Sequence, residues 1–357
     1  MKYRGVVYDV GLNFGGDGYS VEPFNPVLVE YDMRVIAEGL HANAVRIEGQ
    51  EVNRLEIATR AAHSMGLTVF FNPWKMNDGF EGTCAYFEEA AKTAEGLRKD
   101  GVNLVFVAGC EYSIFCKGVF PGESFNERAT FLGSQLMTSG GHMSGETIPQ
   151  ALREKSGELN KFLRCFVEII RAHFSGPVTY SAGTWEVVEW DIFDIIGIDY
   201  YRRGESEKQY VLGLDPYRLG KPLAVMELGC CAYEGAAERG DGGFILLKGT
   251  NPDSSGIFEN GIVPTRSERE QADYLGTQLG LLASADFHAV FVYDFSFPCM
   301  PTGMGASDLD MMCFSLVKHF SGGDSRSNSG VLPPWEAKEA FYRVADFFRS
   351  MKESELR

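Results

Sequence analysis

Residues 101–111 read Gly101-Val102-Asn103-Leu104-Val105-Phe106-Val107-Ala108-Gly109-Cys110-Glu111, an almost unbroken apolar run that ends in an acid. Such a run is what a strand buried on both faces of a parallel sheet requires. It is preceded by a helix-forming stretch, 80–99, closed by Gly101, so the local unit reads helix, tight turn, strand. The same unit recurs along the whole chain. Short apolar runs at 5–10, 42–47, 67–72, 102–108, 178–181, 195–200, 223–226 and 289–294 predict eight strands. Helical periodicity between them predicts helices at 26–40, with Asn25 as cap and Pro26 at the first position, and at 51–65, 80–99 and 148–174. Further helical stretches fall near 187–193 and at 205–219, 267–285 and 334–351.

Eight strand–helix units without a linker or composition break predict a (β/α)8 barrel, an α/β fold built as one domain over residues 1–357. The rival, an open doubly wound sheet, usually carries a phosphate loop after its first strand. Gly15-Gly16-Asp17-Gly18-Tyr19-Ser20 does not complete that fingerprint. Turns from helix to strand are short, as in Ser64-Met65-Gly66 and Ser175-Gly176-Pro177, whereas the connections after the fourth, seventh and eighth strands run to about thirty residues or more, beyond ordinary loop lengths. Elaboration is therefore confined to the rim at the strand C-termini, where barrels of this kind build their sites.

The 357-residue chain is 45% apolar and carries 33 Lys and Arg against 49 Asp and Glu, a net charge of −16. A surface that negative argues against nucleic-acid and anionic-membrane partners and leaves small molecules open. No apolar run approaches the span of a bilayer helix. Eight cysteines diluted in a chain of this size, several inside apolar patterns, predict reduced thiols and a cytoplasmic protein. The oligomeric state is not legible.

Two acids stand at strand ends in different quarters of the barrel. Glu111 follows the fourth strand, and Glu227 follows Pro222-Leu223-Ala224-Val225-Met226 at the seventh. A carboxylate beside a buried strand is costly to desolvate and points to a role at the rim. Two of them across a barrel mouth can divide labour, one attacking and one holding a proton, which is the minimum for cleaving a glycosidic bond. Other chemistries lack their residues. The first strand offers Asp9 and no paired histidines for a metal hydrolase, and the six histidines (41, 63, 142, 173, 288 and 319) are scattered. Neither a Gly-x-Ser-x-Gly elbow nor Cys-x-x-Cys pairs occur, and the sixth strand has no lysine for a Schiff base.

On these residues the chain resembles the clan-A glycoside hydrolases, retaining (β/α)8 glycosidases with an acid/base Glu ending the fourth strand and a nucleophile Glu ending the seventh. The resemblance implies that Glu111 is the acid/base and Glu227 the nucleophile, with no metal or cofactor. It further implies that Arg46, in Asn43-Ala44-Val45-Arg46-Ile47, steadies the nucleophile. Tyr200 looks like the tyrosine beside it, with Tyr201 as the alternative. One departure is Cys110, which stands where the clan usually has an Asn that meets the sugar 2-hydroxyl. Asn72, Asp199 and Glu48 end other strands and can replace that contact. The chain also resembles fungal and actinobacterial barrel proteins labelled abortive-infection proteins, through Arg4-Gly5-Val6-Val7-Tyr8-Asp9-Val10 and Glu227-Leu228-Gly229-Cys230-Cys231-Ala232-Tyr233.

Rim aromatics suit sugar faces. Trp74 after the third strand, Trp185 after the fifth and Tyr293, Phe295 and Phe297 at the eighth are candidates, Trp185 foremost because its segment is polar. Tyr233, Glu186, Glu234 and Asp241 are candidates for hydroxyl contacts. The expected function is a retaining hydrolase of a small glycoside. The alternative is a carbohydrate-binding or defence protein that kept the barrel and lost turnover, for which Cys110 is the main support.

Overall fold

The computed structural model describes residues 1–14, 18–139, 148–321 and 332–355. Gly15–Asp17 of the glycine-rich stretch and His142 lie outside the described residues. Eight parallel strands close into a barrel: β1 (Tyr3–Asp9), β2 (Ala44–Gly49), β3 (Thr68–Pro73), β4 (Leu104–Cys110), β5 (Val178–Gly183), β6 (Ile196–Asp199), β7 (Leu223–Leu228) and, after a short hairpin of β8 (Leu247–Thr250) and β9 (Gly256–Phe258), β10 (Ala289–Val292). Each barrel strand pairs with its neighbour in sequence, and β10 closes on β1 through Tyr3 opposite Ala289. This is the (β/α)8 barrel that the alternation of apolar runs predicts.

The helices differ from expectation where long periodic stretches break. Asn25 caps α1 (Pro26–Arg34), its side chain accepting from the Val27 amide at 3.0 Å, and the remainder continues as a π-helical turn, Val35–Gly39. Then follow α2 (Val52–Ser64) and α3 (Phe80–Lys99). After β4 come α4 (Tyr112–Phe115) and α5 (Phe125–Ser139). The stretch 148–174 divides into α6 (Gln150–Arg153) and α7 (Ser156–His173). The stretch 205–219 shortens to α8 (Glu207–Leu212), opened by a Ser206–Gln209 capping box, and a 3-10 turn, Asp215–Tyr217. The outer layer ends with α9 (Glu268–Ser284) and α10 (Glu339–Glu355). A second small pair, β11 (Val317–His319) with β12 (Trp335–Ala337), lies in the connection after β10. Among the described residues no helix is long and apolar enough to cross a membrane.

Strand alternation divides the core in two. Val7, Ala44, Phe70, Val105, Val107, Ala224, Met226 and Phe291 fill the barrel, whereas their sequence neighbours Val6, Val45, Val69, Phe106 and Val225 pack outward against the helices. The long connection after β10 is bolted to the barrel wall by charge. Lys338, fully buried, places Nζ 3.1 Å from Asp310 Oδ1, and Arg266, just ahead of α9, reaches Asp310 Oδ2 at 2.8 Å and Asp308 Oδ2 at 2.9 Å.

Removing one partner of a buried pair leaves the other charge uncompensated, at about 3–5 kcal/mol. Lys338→Met should therefore lower the unfolding free energy by about 3 kcal/mol, Asp310 keeping Arg266. Arg60→Ala, which breaks exposed pairs to Glu56 and Asp100, should cost under about 1 kcal/mol. Urea denaturation of both variants checks the contrast.

Candidate active site

The strand C-termini carry a polar ring above the apolar filling. Inward alternation continues from Val7 to Asp9, from Ala44 through Arg46 to Glu48, and from Phe70 to Asn72, and the register places Asp9 opposite Glu48 and Glu48 opposite Asn72. Two further residues reach the ring because their strands slip. Between β4 and β5, Val107 pairs with Thr179 but Cys110 with Ser181, so β4 carries one extra residue at its Ala108-Gly109 step, where Gly109 has φ +85°. Between β6 and β7, Ile198 pairs with Val225 but Asp199 with Glu227, which makes Met226 the extra residue. Each slip is a β-bulge, which re-aims the side chains that follow it. Without the bulge in β7, Glu227 would face the helices.

Arg46 is the centre of the ring and is fully buried. Its Nε donates to Asn72 Oδ1 at 2.8 Å; Nη1 donates to Glu227 Oε1 at 2.9 Å and to the Met226 carbonyl at 3.1 Å; Nη2 lies 3.1 Å from Glu48 Oε2. Tyr201 donates its hydroxyl to Glu227 Oε2 at 2.8 Å, so both carboxylate oxygens of Glu227 are held. Cys110 Sγ lies 3.5 Å from Glu227 Oε1 and 3.6 Å from Asp199 Oδ2, and Ser181 Oγ donates to Asp199 Oδ1 at 2.6 Å.

Glu111 stands at the N-terminus of α4 with φ 41° and ψ 47°, the left-handed region that costs a non-glycine residue about 1–2 kcal/mol. Three consecutive amides are captured there. Glu111 N donates to the Ser181 carbonyl (2.8 Å), Tyr112 N to Tyr180 Oη (2.6 Å) and Ser113 N to Glu186 Oε1 (3.0 Å). Glu186 also accepts from Ser113 Oγ at 2.5 Å and from the Tyr180 hydroxyl at 2.9 Å. The segment after β5 thus fixes the acid that ends β4. Burial pushes the Glu111 carboxyl well above the usual carboxylate range, and the charges of Asp199, Glu227, Glu186 and Asp241 push it further the same way. Glu111 is built to hold a proton, whereas Glu227 is built into an ion pair.

The other candidates sort by what they touch. Asn72 and Asp199 belong to the ring. Trp74 is buried against Cys110, with Phe14 and Phe115 around it. Tyr293 is half-buried, and burial raises its hydroxyl pKa first, with Glu48, Glu227, Asp294 and Asp9 adding to the shift, which places it beside the ring. Tyr200 is not the tyrosine on Glu227. It points outward, donates its hydroxyl to the Tyr210 carbonyl at 2.8 Å and stacks on the Tyr210 ring of α8. Alternation explains the exchange: Asp199 faces inward, so Tyr200 faces outward and Tyr201 inward. Trp185 is no open platform either, since its ring is buried over Gly183 and its Nε1 donates to Ser113 Oγ at 3.1 Å. Tyr233 is buried and donates its hydroxyl to the Gly243 carbonyl at 2.8 Å, bracing the loop after β7. Phe295 is core, packed on Tyr8 and Trp335. Asp241 is engaged by Arg203 through two bonds of 2.6 Å, and Glu234 is exposed.

Sequence reading missed Ser181, Ser113, Tyr180 and Asp294. Ser181 follows Thr179 at a period of two on a strand, a signal available in the sequence; the others act through loop geometry that no periodicity encodes. Cys110, Asp199 and Glu227 bring one ligand atom each within 4.8 Å of one another and could hold a metal ion. Arg46, 2.9 Å from Glu227 and 3.8 Å from Asp199, already places a positive charge there and competes with such an ion.

Neither a protein-family model nor a curated protein matches the chain. Solved structures do. A GH113 β-1,4-mannanase superposes with a TM-score of 0.58 at 15% identity, covering 98% of this chain and 100% of that one. The GH113 β-mannanase of Alicyclobacillus acidocaldarius gives 0.52 at 15% identity, covering 98% of each chain. A β-glucuronidase from Ruminococcus gnavus gives 0.55 at 12% identity, covering 98% of this chain and 49% of that one. The shared feature is the barrel of these glycoside hydrolases. The likeness to abortive-infection proteins finds no support among them.

Asp294, buried beside the ring, has no hydrogen-bond partner for either carboxylate oxygen among the described residues. Burial, then the charge of Asp9, pushes it up to about 8, against the pull of Lys338. The folded state therefore holds this proton more tightly than the unfolded chain. Its contribution to stability is complete below about pH 4, the ordinary carboxylate value, and is lost as pH rises to about 8. The thermal midpoint of the parent should fall relative to that of Asp294→Asn by at least about 2 °C between pH 4.5 and 8. A constant gap between the two across that range contradicts the assignment.

Proposed function

We propose that this chain is a retaining glycoside hydrolase with Glu227 as nucleophile and Glu111 as acid/base. The observation that carries the reading is the opposite treatment of two carboxyls at one barrel mouth. Glu227 is ion-paired to Arg46 and oriented by Tyr201, whereas Glu111 is pushed toward its protonated form. In the first step a Glu227 oxygen bonds to the anomeric carbon, the glycosidic C–O bond breaks, and Glu111 gives its proton to the departing oxygen. In the second, Glu111 takes a proton from water, the water oxygen bonds to the anomeric carbon, and Glu227 is released. No step calls on a metal or cofactor.

The long connections after β4, β7 and β10 support a pocket for one or two sugar units rather than an open groove. The printed descriptions of the structural neighbours, mannanases and a glucuronidase, agree with a carbohydrate substrate. All eight cysteines are free thiols, which supports the cytoplasmic reading and imported or metabolic glycosides as substrates. Cys110 favours a second reading, a sugar-binding protein without turnover, and one experiment separates the two.

Glu227→Ala should show no measurable release of nitrophenol from an aryl glycoside that the parent cleaves, and added azide should restore release with a glycosyl azide of inverted configuration as product. Glu111→Ala should lose about 10²–10⁴-fold in kcat/KM on poor leaving groups and far less on dinitrophenyl glycosides. Equal losses on both leaving groups, or a parent that binds sugars and cleaves none of an aryl glycoside panel, would contradict the assignment.

A further inference from the structure

The glycosidase reading fixes what lies next to the reacting carbon, and the following rests on that reading. When a Glu227 oxygen bonds to the anomeric carbon, that carbon's ring neighbours are O5 and C2. Ring oxygen O5 has lone pairs and no proton, so a carboxylate beside it is repelled. A second carboxylate close to Glu227 is matched instead to the substituent on C2, which can donate.

Asp199 is that carboxylate. It is buried, it pairs in register with Glu227, and the two have oxygens within 4.8 Å of each other and of Cys110 Sγ. Its Oδ1 accepts from Ser181 Oγ at 2.6 Å, with Arg46 Nη1 3.8 Å away. Its Oδ2 has the Cys110 thiol at 3.6 Å, a weak donor. The stronger acceptor at this spot is thus nearly idle.

Three features favour a charged donor on C2 over a hydroxyl. Four carboxyls, Glu48, Glu111, Asp199 and Glu227, surround one guanidinium, Arg46, and interact with one another. A neutral sugar leaves that excess of acid uncompensated, whereas a cation offsets it. Cys110 places no strong donor beside Asp199 Oδ2, so an ammonium, which only donates, meets no competitor there. Trp74 is buried against Cys110, and its Nε1–H has no partner among the described residues. That donor calls for an acceptor on the same ligand, which a sugar hydroxyl oxygen next to the ammonium supplies.

We propose that the sugar bound at Glu227 is a 2-amino-2-deoxy sugar with a free, protonated amine, its ammonium seated between Asp199 and Glu227 over the Cys110 thiol. An N-acetyl group is excluded by the same logic, since acetylation removes the charge and adds a carbonyl facing two carboxylates.

The test compares kcat/KM for 4-nitrophenyl 2-amino-2-deoxy-β-D-glucoside and -β-D-mannoside with the matched 2-hydroxy and 2-acetamido glycosides, in the parent and in Asp199→Asn. Calorimetry with glucosamine, mannosamine, glucose and mannose as ligands of the parent runs beside it. One amino glycoside should exceed both its counterparts at least tenfold, and Asp199→Asn should reduce that ratio at least tenfold. Cleavage of 2-hydroxy glycosides as well as or better than the amino forms overturns this inference and leaves the glycosidase reading standing. If no glycoside is cleaved, the glycosidase reading fails, and binding decides: a tenfold preference for an amino sugar supports the ammonium site, and its absence overturns it.

Discussion

A guanidinium buried in a barrel mouth is stable only if every direction it donates in meets an acceptor, and Arg46 is in that position. An unpaired charge at that depth costs several kcal/mol. Arg46 meets Asn72 from β3, the Met226 carbonyl and Glu227 from β7, and Glu48 from its own strand. The dependence runs both ways. Glu48 is completely buried, burial raises its carboxyl pKa well above the usual range, and Arg46 is the cation that opposes the rise. One ion cluster therefore couples the closure of the barrel to the orientation of the residue assigned as nucleophile. The geometry of the site is a condition of folding rather than an addition to it.

The second constraint is the pair of bulges. A parallel strand with strict alternation presents every other side chain to the barrel, and bulges in parallel pairs are uncommon. Here β4 and β7, the strands that carry the two assigned catalytic residues, each contain one. The bulge in β7 allows Met226 to fill the barrel and Glu227 to enter the ring one residue later. The bulge in β4 turns Cys110 inward and delivers Glu111 in a left-handed conformation, held by the carbonyl of Ser181, the hydroxyl of Tyr180 and the carboxylate of Glu186. Strain of this kind persists where surrounding contacts over-determine it.

These features explain which parts of the protein are legible in its sequence. The eight strands are legible because a strand buried on both faces must be apolar throughout, and Leu104-Val105-Phe106-Val107 admits few other readings. Glu111, Glu227 and Arg46 are legible because ionisable groups at the ends of such strands demand a reason. Tyr200 is misassigned because position in a motif was weighed above alternation; the inward setting of Asp199 already selects Tyr201. Trp185 is misassigned for a different reason. Its polar neighbours suggest an open rim, but Ser113 and Glu186 are polar because they bond to each other around the buried indole. The break between α6 and α7, the β8–β9 hairpin and the β11–β12 pair carry no long periodicity and are set by tertiary contacts.

The central claim is that Glu227 forms a covalent bond to the sugar. Incubating the protein with 5-fluoro glycosyl fluorides, which leave carbon 2 unaltered, slows both steps while keeping a good leaving group. Peptide mass spectrometry then locates any accumulated glycosyl ester. The account predicts one label per chain, on Glu227 within Leu223–Leu228, with loss of activity that recovers as the ester hydrolyses. A label on Glu111, Asp199 or Cys110, or full activity toward aryl glycosides with no labelled peptide and inverted product, would contradict it.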